Sequence, residues 1–194
     1  MISNSEQRLQ RLNEVAKSYD MKINVKKTKT MVVSRTEGKK VDILIEGKRV
    51  EQVKQFKYLG SVLTEDASCI DDVKQRIAMD KEAFNKRREM MTGGMDRGVK
   101  KRLVKALIWP VALYGCETWT LRKMEIDRLR AFEMWIWRRM EKVSWEDRKT
   151  NEEVLTAVGE ERRLIETVEK RKKNWIGHVV RGGGLLKLTL EGRM

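Results

Sequence analysis

The chain has 194 residues, with 43 Lys and Arg against 29 Asp and Glu, which gives a formal net charge of +14. This length suits one large or two small domains and is sufficient for a hydrophobic core. No apolar run approaches the ~20 residues that span a bilayer, so we expect no membrane-spanning helix. The first residues lack a secretory signal, which predicts an intracellular protein of the nucleus or the cytoplasm.

The first third of the sequence predicts one helix followed by short β-structure. Apolar spacing predicts a helix over Glu6–Tyr19, and β-branched residues predict a strand over Thr28–Arg35. A polar turn is predicted over Thr36–Lys40 and a hairpin over Val41–Val53. A further strand, interrupted at Gly60, is predicted over Gln55–Leu63. The β-containing part is therefore expected to end near Thr64.

The remainder of the sequence predicts helices. Their expected bounds are Asp71–Met91, Val99–Tyr114 with a kink at Pro110, Lys123–Met140, a short helix from a Thr150–Glu153 capping box to Gly159, and Glu160–Val180. The predicted fold class is α+β and mainly α. A small antiparallel β-hairpin sheet precedes a helical bundle, with domains over residues 1–64 and 65–194.

The cysteine and histidine content restricts the possible chemistry. Cys69 and Cys116 are the two cysteines, and His178 is the single histidine. These residues are too few for a disulfide framework, a four-ligand zinc site, a zinc knuckle or a histidine-based catalytic triad.

The positive charge favours a polyanionic partner, and nucleic acid is the most common one. Met1–Thr64 holds 14 basic and 7 acidic residues, which is half of the net charge. A solvated surface with many helical ion pairs is the alternative explanation.

Two basic clusters are candidate phosphate contacts. The first comprises Lys22, Lys26, Lys27 and Lys29, beside a predicted strand. Its alternative role is protection of an exposed strand edge. The second comprises Lys170, Arg171, Lys172 and Lys173, which could bind a phosphate backbone or act as a nuclear localisation signal. An exposed helix face paired with nearby glutamates is the alternative.

Two further features have structural explanations that we favour. Asp71 and Asp72 form a carboxylate pair that could hold Mg²⁺, but acids at a helix start are expected from the helix dipole. Among the tryptophans, Trp109, Trp119 and Trp175 are predicted to lie in the core. Trp135 and Trp137 are two residues apart on a helix, so one of them is expected to be exposed.

Five segments, in order, resemble the C-terminal part of the reverse transcriptase of non-long-terminal-repeat (LINE-like) retrotransposons. The family's motifs read G-L-K-I-N…K-T-K-x-M, F-K-Y-L-G, P-V-L-L-Y-G-x-E-T-W, W-x-D-R-x-T-N-E-E and G-H-V-x-R. The corresponding segments are Tyr19–Met31, Phe56–Ser61, Ile108–Trp119, Trp145–Glu153 and Gly177–Arg181. Asp20-Met21 departs from the family's Gly-Leu. The resemblance extends from about Ser5 to Arg181.

The resemblance implies the end of a polymerase palm over residues 1–64 and a helical thumb with a C-terminal extension over residues 65–194. The primer-grip-like segment is Phe56, Lys57, Tyr58, Leu59 and Gly60. It further implies that an RNA–DNA hybrid or primer–template is the partner, bound weakly by Lys22, Lys26, Lys27, Lys29, Arg87, Lys101, Lys105, Lys170, Arg171, Lys172 and Lys173.

The resemblance also implies a chain that is inactive alone. The family's Y-A-D-D-type aspartate pair is expected upstream of the first helix, and this sequence begins after it. We therefore expect no catalytic or metal-binding residues in this chain, with Mg²⁺ required only by an intact enzyme. The alternatives are a co-opted nucleic-acid-binding protein that uses Lys170–Lys173, a protein-interaction module, and a decayed element copy.

Overall fold

A computed structural model describes residues 4–34 and 39–192 of the chain, with side chains from residue 6 onward. The fold is α+β and mainly α, as predicted. The chain divides into two compact units, Met1–Cys69 and Ile70–Met194. Most of the polar turn predicted over Thr36–Lys40 lies outside the described residues.

In its described residues, the first unit contains one helix and six very short strands. Helix α1 spans Asn4–Ser18. The strands are β1 (Lys29–Thr30), β2 (Leu44–Ile45), β3 (Lys48–Arg49), β4 (Glu51–Gln52), β5 (Gln55–Tyr58) and β6 (Ser61–Thr64). Strand β1 pairs with β4 in parallel, whereas β2–β3 and β5–β6 are antiparallel pairs.

The first unit has a small apolar core. Ile43, Ile45 and Val50 are buried, and Leu9 of α1 packs against them. Further apolar residues are exposed: Leu12 and Val15 of α1 are each 56% exposed, and Tyr19, which follows the helix, is 72% exposed. The helix was correctly predicted from its apolar spacing, but most of the apolar residues that produce this spacing are not covered by the core. The core is so small that it covers only the Leu9 side.

Two strand predictions in this unit were too long. In the described part of the segment predicted as a strand over Thr28–Arg35, the strand comprises Lys29–Thr30, which pair with the two residues of β4. The segment Gln55–Leu63 reverses direction at Leu59-Gly60, with φ of +47° and +88°, and forms the β5–β6 hairpin. Two consecutive residues at positive φ form the tight turn whose twist suits an antiparallel pair.

The second unit contains eight helices in the described residues. They are α2 (Ile70–Lys86), α3 (Arg88–Thr92), α4 (Arg97–Leu103), α5 (Trp109–Ala112), α6 (Lys123–Met140), α7 (Asn151–Val158), α8 (Leu164–Gly182) and α9 (Leu185–Leu190). The bounds of α6 match the prediction. Helix α7 has the predicted capping box, in which the Glu153 N–H donates to Thr150 Oγ1 at 3.2 Å, and it ends at Gly159 with φ of +67°.

Pro110 shapes the segment between α4 and α5. Residues Val104–Ile108 form a wide π-type turn, in which the Trp109 N–H donates to the carbonyl five residues back, on Val104. Proline has no N–H to donate, and its ring would clash with the carbonyl four residues earlier. The wider turn accommodates both effects, so the predicted kink takes this form.

Helix α6 is the centre of the second unit. It packs against α2, α7 and α8. The amphipathic pattern of this helix predicts an apolar stripe of five residues, which is largely confirmed. Four of them are each at most 2% exposed and Ile126 is half-buried; the four are Leu129, Phe132, Ile136 and Met140. In the part of the chain that the structure describes, no helix is long and apolar enough to cross a membrane.

Candidate nucleic-acid interface

Three of the four lysines of the first cluster lie in the segment between α1 and β1 rather than in a strand. Lys22, Lys26 and Lys27 are exposed between α1 and β1. The Lys27 N–H donates to the Asn24 carbonyl at 3.1 Å and to the Asn24 side chain at 3.2 Å, which fixes the turn. The structure shows no ion pair for Lys26 or Lys27 among the residues it describes. Their charges are therefore available to an anionic partner.

Lys29 differs from the other three lysines because it has a carboxylate partner. It lies in β1 opposite Glu51 of β4, and its Nζ forms an ion pair with the Glu51 carboxylate. Its charge is compensated within the parallel strand pair. Of the four lysines, Lys29 is the one that belongs to a strand, so the proposed protection of a strand edge can concern Lys29 but not the other three.

The primer-grip-like segment forms the first strand and the turn of the β5–β6 hairpin. Phe56 lies opposite Leu63 and Tyr58 opposite Ser61, so both aromatic rings project from one face of the hairpin, since alternate residues share a face. Phe56 is 39% exposed, Tyr58 is 58% exposed and Leu59 at the turn is 75% exposed. This accessible aromatic face could stack on bases or pack against another protein surface.

Lys101 and Lys105 are bound within the protein. Lys101 Nζ donates to the Gly159 carbonyl at 3.1 Å and lies 3.5 Å from Glu160 Oε1, while Lys105 Nζ lies 2.8 Å from the same oxygen. Lys105 also lies over the Trp109 ring, 5.9 Å from its centroid. These lysines tie the helix before Pro110 to the end of α7. Their charge is partly compensated, so they are weaker candidates for phosphate contact than the sequence suggested.

The basic run on α8 is divided between two roles. Arg171 Nη1 donates to the Leu113 carbonyl at 3.2 Å, and Lys172 Nζ donates to the Trp119 carbonyl at 2.8 Å. These bonds add side-chain donors to carbonyls that follow α5, and the Leu113 carbonyl also accepts from the Cys116 N–H at 3.4 Å. Lys170 and Lys173 are exposed on another side of α8. Arg171 and Lys172 are half-buried, so Lys170 and Lys173 are the more accessible charges of the run.

Arg87 lies at the junction of α2 and α3. Its Nη1 donates to the Ala83 carbonyl at 3.1 Å, and the residue is exposed. The side chain therefore closes the last turn of α2 while part of its guanidinium faces solvent.

The pair Asp71-Asp72 opens α2, as the dipole argument predicted, and the two carboxylates have different surroundings. Asp71 is exposed and its Oδ1 lies 3.1 Å from Lys74 Nζ. Asp72 is 3% exposed and its Oδ2 accepts a hydrogen bond of 2.8 Å from the Trp119 indole. The described residues contain no group of three or more His, Cys, Asp or Glu that could hold a metal ion. The pair does not fit an Mg²⁺ site, because Asp72 is buried and bound to the indole.

Trp137 is fully buried whereas Trp135 is half-buried, so the two rings differ in accessibility as expected, but neither is exposed. The Trp135 ring lies against Phe84 of α2, with ring centroids 5.3 Å apart. Two cationic groups lie on the same ring, Lys81 Nζ at 5.2 Å and Arg139 Cζ at 4.8 Å from its centroid. Neither Lys81 nor Arg139 is among the candidate residues predicted from the sequence. The i,i+4 spacing of Trp135 and Arg139 is visible in the sequence, but the approach of Lys81 depends on how α2 packs on α6.

Two buried carboxylates lie in the helical core. Asp80 is fully buried, no hydrogen-bond partner is seen for either of its carboxylate oxygens, and burial raises its pKa to about 8. Glu133 is also buried, and its Oε1 accepts from the N–H groups of Arg163 and Leu164 at 3.0 and 3.1 Å. Burial raises the Glu133 pKa, although these two bonds act in the opposite direction. Glu133 therefore caps the start of α8, which begins four residues later than predicted.

A curated relative connects the chain to transposable elements. This chain is 24% identical over 178 residues to a putative uncharacterized transposon-derived protein of Caenorhabditis elegans. The match covers 89% of this chain and 64% of the relative, so the chain spans less than two thirds of that protein's length. Neither a protein family model nor a solved structure matches the chain. The similarity supports an origin in a transposable element.

Proposed function

We propose that this chain is part of a reverse transcriptase of a non-LTR retrotransposon and that it holds a nucleic-acid duplex without catalysing polymerisation. In this proposal the first unit is the end of the palm and the second is the thumb with its C-terminal extension. Support comes from five motif-like segments in order along the sequence, and from the similarity to a transposon-derived protein.

The observation that carries the proposal is the presence of exposed lysines in each unit. Lys26 and Lys27 present their charge in the first unit, and Lys170 and Lys173 do so in the second. Lysines of this kind bind phosphates through charge, and binding releases counterions from the duplex. Such contacts are largely independent of sequence, as is required of a protein that travels along its template.

The primer-grip-like hairpin supports the same proposal. Phe56 and Tyr58 share one accessible face, where an aromatic ring can stack on a base or sugar. In an intact enzyme this face would position the 3′ end of the primer. We expect the chain alone to extend no primer, even with Mg²⁺ supplied, because the carboxylate pair Asp71-Asp72 does not fit a metal site.

The test is binding to a fluorescently labelled RNA–DNA hybrid, followed by anisotropy at increasing salt. We expect the logarithm of the binding constant to fall linearly with the logarithm of the salt concentration, with a slope of about −0.9 for each phosphate contacted. An affinity that stays constant between about 50 mM and about 200 mM salt would contradict phosphate contact. Binding that is absent at low salt would show that the positive charge serves solubility alone.

A protein-interaction module is the second candidate function. Helix α9 exposes four leucines: Leu185, Leu186, Leu188 and Leu190 are 75%, 50%, 43% and 47% exposed. Apolar residues concentrated in this way mark interaction surfaces more often than isolated ones do. This function predicts self-association in sedimentation experiments that is unchanged by added nucleic acid, whereas a duplex-holding thumb changes mass only when the hybrid is present.

A further inference from the structure

We propose that Lys81 and Arg139, which meet on the indole ring of Trp135, form a phosphate-binding site in the helical unit. The inference rests on the proposed function, because its ligand is the sugar-phosphate backbone of a nucleic acid. It assigns a binding role to three residues that lie outside the basic clusters of the sequence.

The geometry brings together cations from two helices. Lys81 belongs to α2, and Trp135 and Arg139 belong to α6. Since Lys81 Nζ lies 5.2 Å and Arg139 Cζ lies 4.8 Å from the same ring centroid, the two charges are at most 10.0 Å apart. A nucleic-acid strand carries one charge per ~3.4 Å of helix axis. Two cations at this separation can therefore contact nearby phosphates of one strand.

The indole ring of Trp135, which both cations contact, is held in place by two phenylalanines. Phe84 meets Trp135 edge to face at 5.3 Å, and Phe132 stacks on it with ring centroids 6.3 Å apart and planes 17° from parallel. Phe84 and Phe132 are buried, whereas Trp135 is half-buried. A long cationic side chain that already rests on a fixed ring loses less freedom when it binds a ligand. The site is thus preorganised and accessible from solvent.

The charges at this site are not compensated by carboxylates. Contact with an aromatic face attracts a cation but leaves its charge in place. Other cations on the same two helices are paired: Lys86 Nζ lies 2.8 Å from Glu82, and Arg130 Nη1 lies 3.8 Å from Asp127. The described residues provide no such partner for Lys81 or Arg139. An external anion is the remaining group that can compensate them.

A phosphate backbone fits the site better than an acidic peptide does. The guanidinium of Arg139 offers paired N–H donors that match phosphate oxygens, and Lys81 adds a compact charge. The exposed Lys170 and Lys173 of the same unit favour a polyanion with regularly repeated charges. The experiment must therefore distinguish binding of a nucleic acid from binding of an acidic protein.

The test compares two double variants of the full chain by anisotropy with a labelled RNA–DNA hybrid over a salt series. Lys81→Gln with Arg139→Gln removes the proposed site. Lys86→Gln with Arg130→Gln is the matched control, because it removes the same charge from the same helices at positions that have carboxylate partners. We expect the first variant to reduce the magnitude of the salt slope by about 2, and the control to change it much less.

A charge-preserving variant separates binding from folding. Lys81→Arg with Arg139→Lys should keep the salt slope of the unaltered chain, and circular dichroism should show equal helix content in all variants. Equal effects of the site and control variants on hybrid binding would overturn the inference. The inference would also be overturned if the Lys81→Gln, Arg139→Gln variant bound the hybrid like the control variant but lost affinity for polyglutamate. If the unaltered chain fails to bind the hybrid, the proposed function itself fails first.

Discussion

The indole N–H of Trp119 donates a buried hydrogen bond of 2.8 Å to Oδ2 of Asp72. The bond joins the first turn of α2 to the chain that precedes α6, which are separated by 47 residues in sequence. Arg76 lies on the same face of α2, with its guanidinium 4.4 Å from the centroid of the Tyr114 ring. Asp72, one of the two adjacent carboxylates that the sequence offered as a possible Mg²⁺ site, therefore has a structural role in the helical unit.

Asp72→Ala is expected to destabilise the helical unit by about 2–4 kcal/mol, because it leaves the buried indole N–H of Trp119 without its acceptor. Asp71→Ala is the neighbouring control. It should change stability by less than about 1 kcal/mol, since Asp71 is exposed and its pair with Lys74 is a surface one. Urea denaturation followed by circular dichroism measures both. Equal effects of the two substitutions would refute the structural role of Asp72.

The basic run of α8 should separate into residues that affect stability and residues that affect binding. Lys172→Met removes the donor to the Trp119 carbonyl and is expected to cost about 1–3 kcal/mol of unfolding free energy. Lys170→Gln with Lys173→Gln should leave stability within about 0.5 kcal/mol and weaken hybrid binding. Thermal unfolding and anisotropy measure the two properties. A Lys172→Met variant of unchanged stability would contradict the assignment.

Asp80 should make the stability of the chain depend on pH. Its pKa is about 8 in the folded protein, against an ordinary value of 3.8, so the folded chain retains a proton that the unfolded chain has lost between these values. The free energy of unfolding therefore falls as pH rises from about 4 to about 8. Asp80→Asn cannot ionise, and we expect it to be more stable than the unaltered chain at pH 8, by on the order of 3 kcal/mol.

The pH prediction is checked by urea denaturation at several pH values. Some decline with pH should remain in the Asp80→Asn variant, because the pKa of Glu133 is raised in the same direction. Parallel pH profiles of the variant and the unaltered chain would show that Asp80 is ionised or solvated in the folded state.

The turn of the β5–β6 hairpin offers a stabilising substitution. Leu59 has φ of +47°, where a leucine side chain crowds the backbone, and Gly60 follows at +88°. Leu59→Asn creates the Asn-Gly pair that this type of turn prefers, and should stabilise the hairpin by about 1 kcal/mol. Hydrogen exchange of the β5 and β6 amides measures this effect. Leu63→Asn, in the extended part of the hairpin, should give no such gain.

The helical elements were largely predictable from the sequence, because apolar spacing and caps are local signals. Lys123–Met140 was predicted to the residue, and the Thr150–Glu153 capping box and Gly159 defined α7. The start of α8 was not predictable in this way. Its cap is the Glu133 side chain, which is 30 residues away in sequence.

The candidate interface was less predictable than the fold, because charge alone does not reveal a partner. Lys101 and Lys105 lie among many basic residues in the sequence, and only the fold brings Glu160 to both of them. Lys81 and Arg139 have ordinary sequence neighbours, and their shared contact requires α2 to lie beside α6. In both cases, tertiary contacts decide whether a basic residue is paired with a carboxylate or available to a partner.

The wide turn over Val104–Ile108 sets the direction in which the side chains of α5 point relative to those of the helix before it. In a regular α-helix, residues five positions apart point ~140° apart, so Val104 and Trp109 would face different directions. Both are buried here, at 0% and 6% exposure. Inserting or deleting one residue in this turn would rotate Trp109 and Leu113 about the helix axis, out of the core. We infer that this segment accepts changes of side chain far more readily than changes of length.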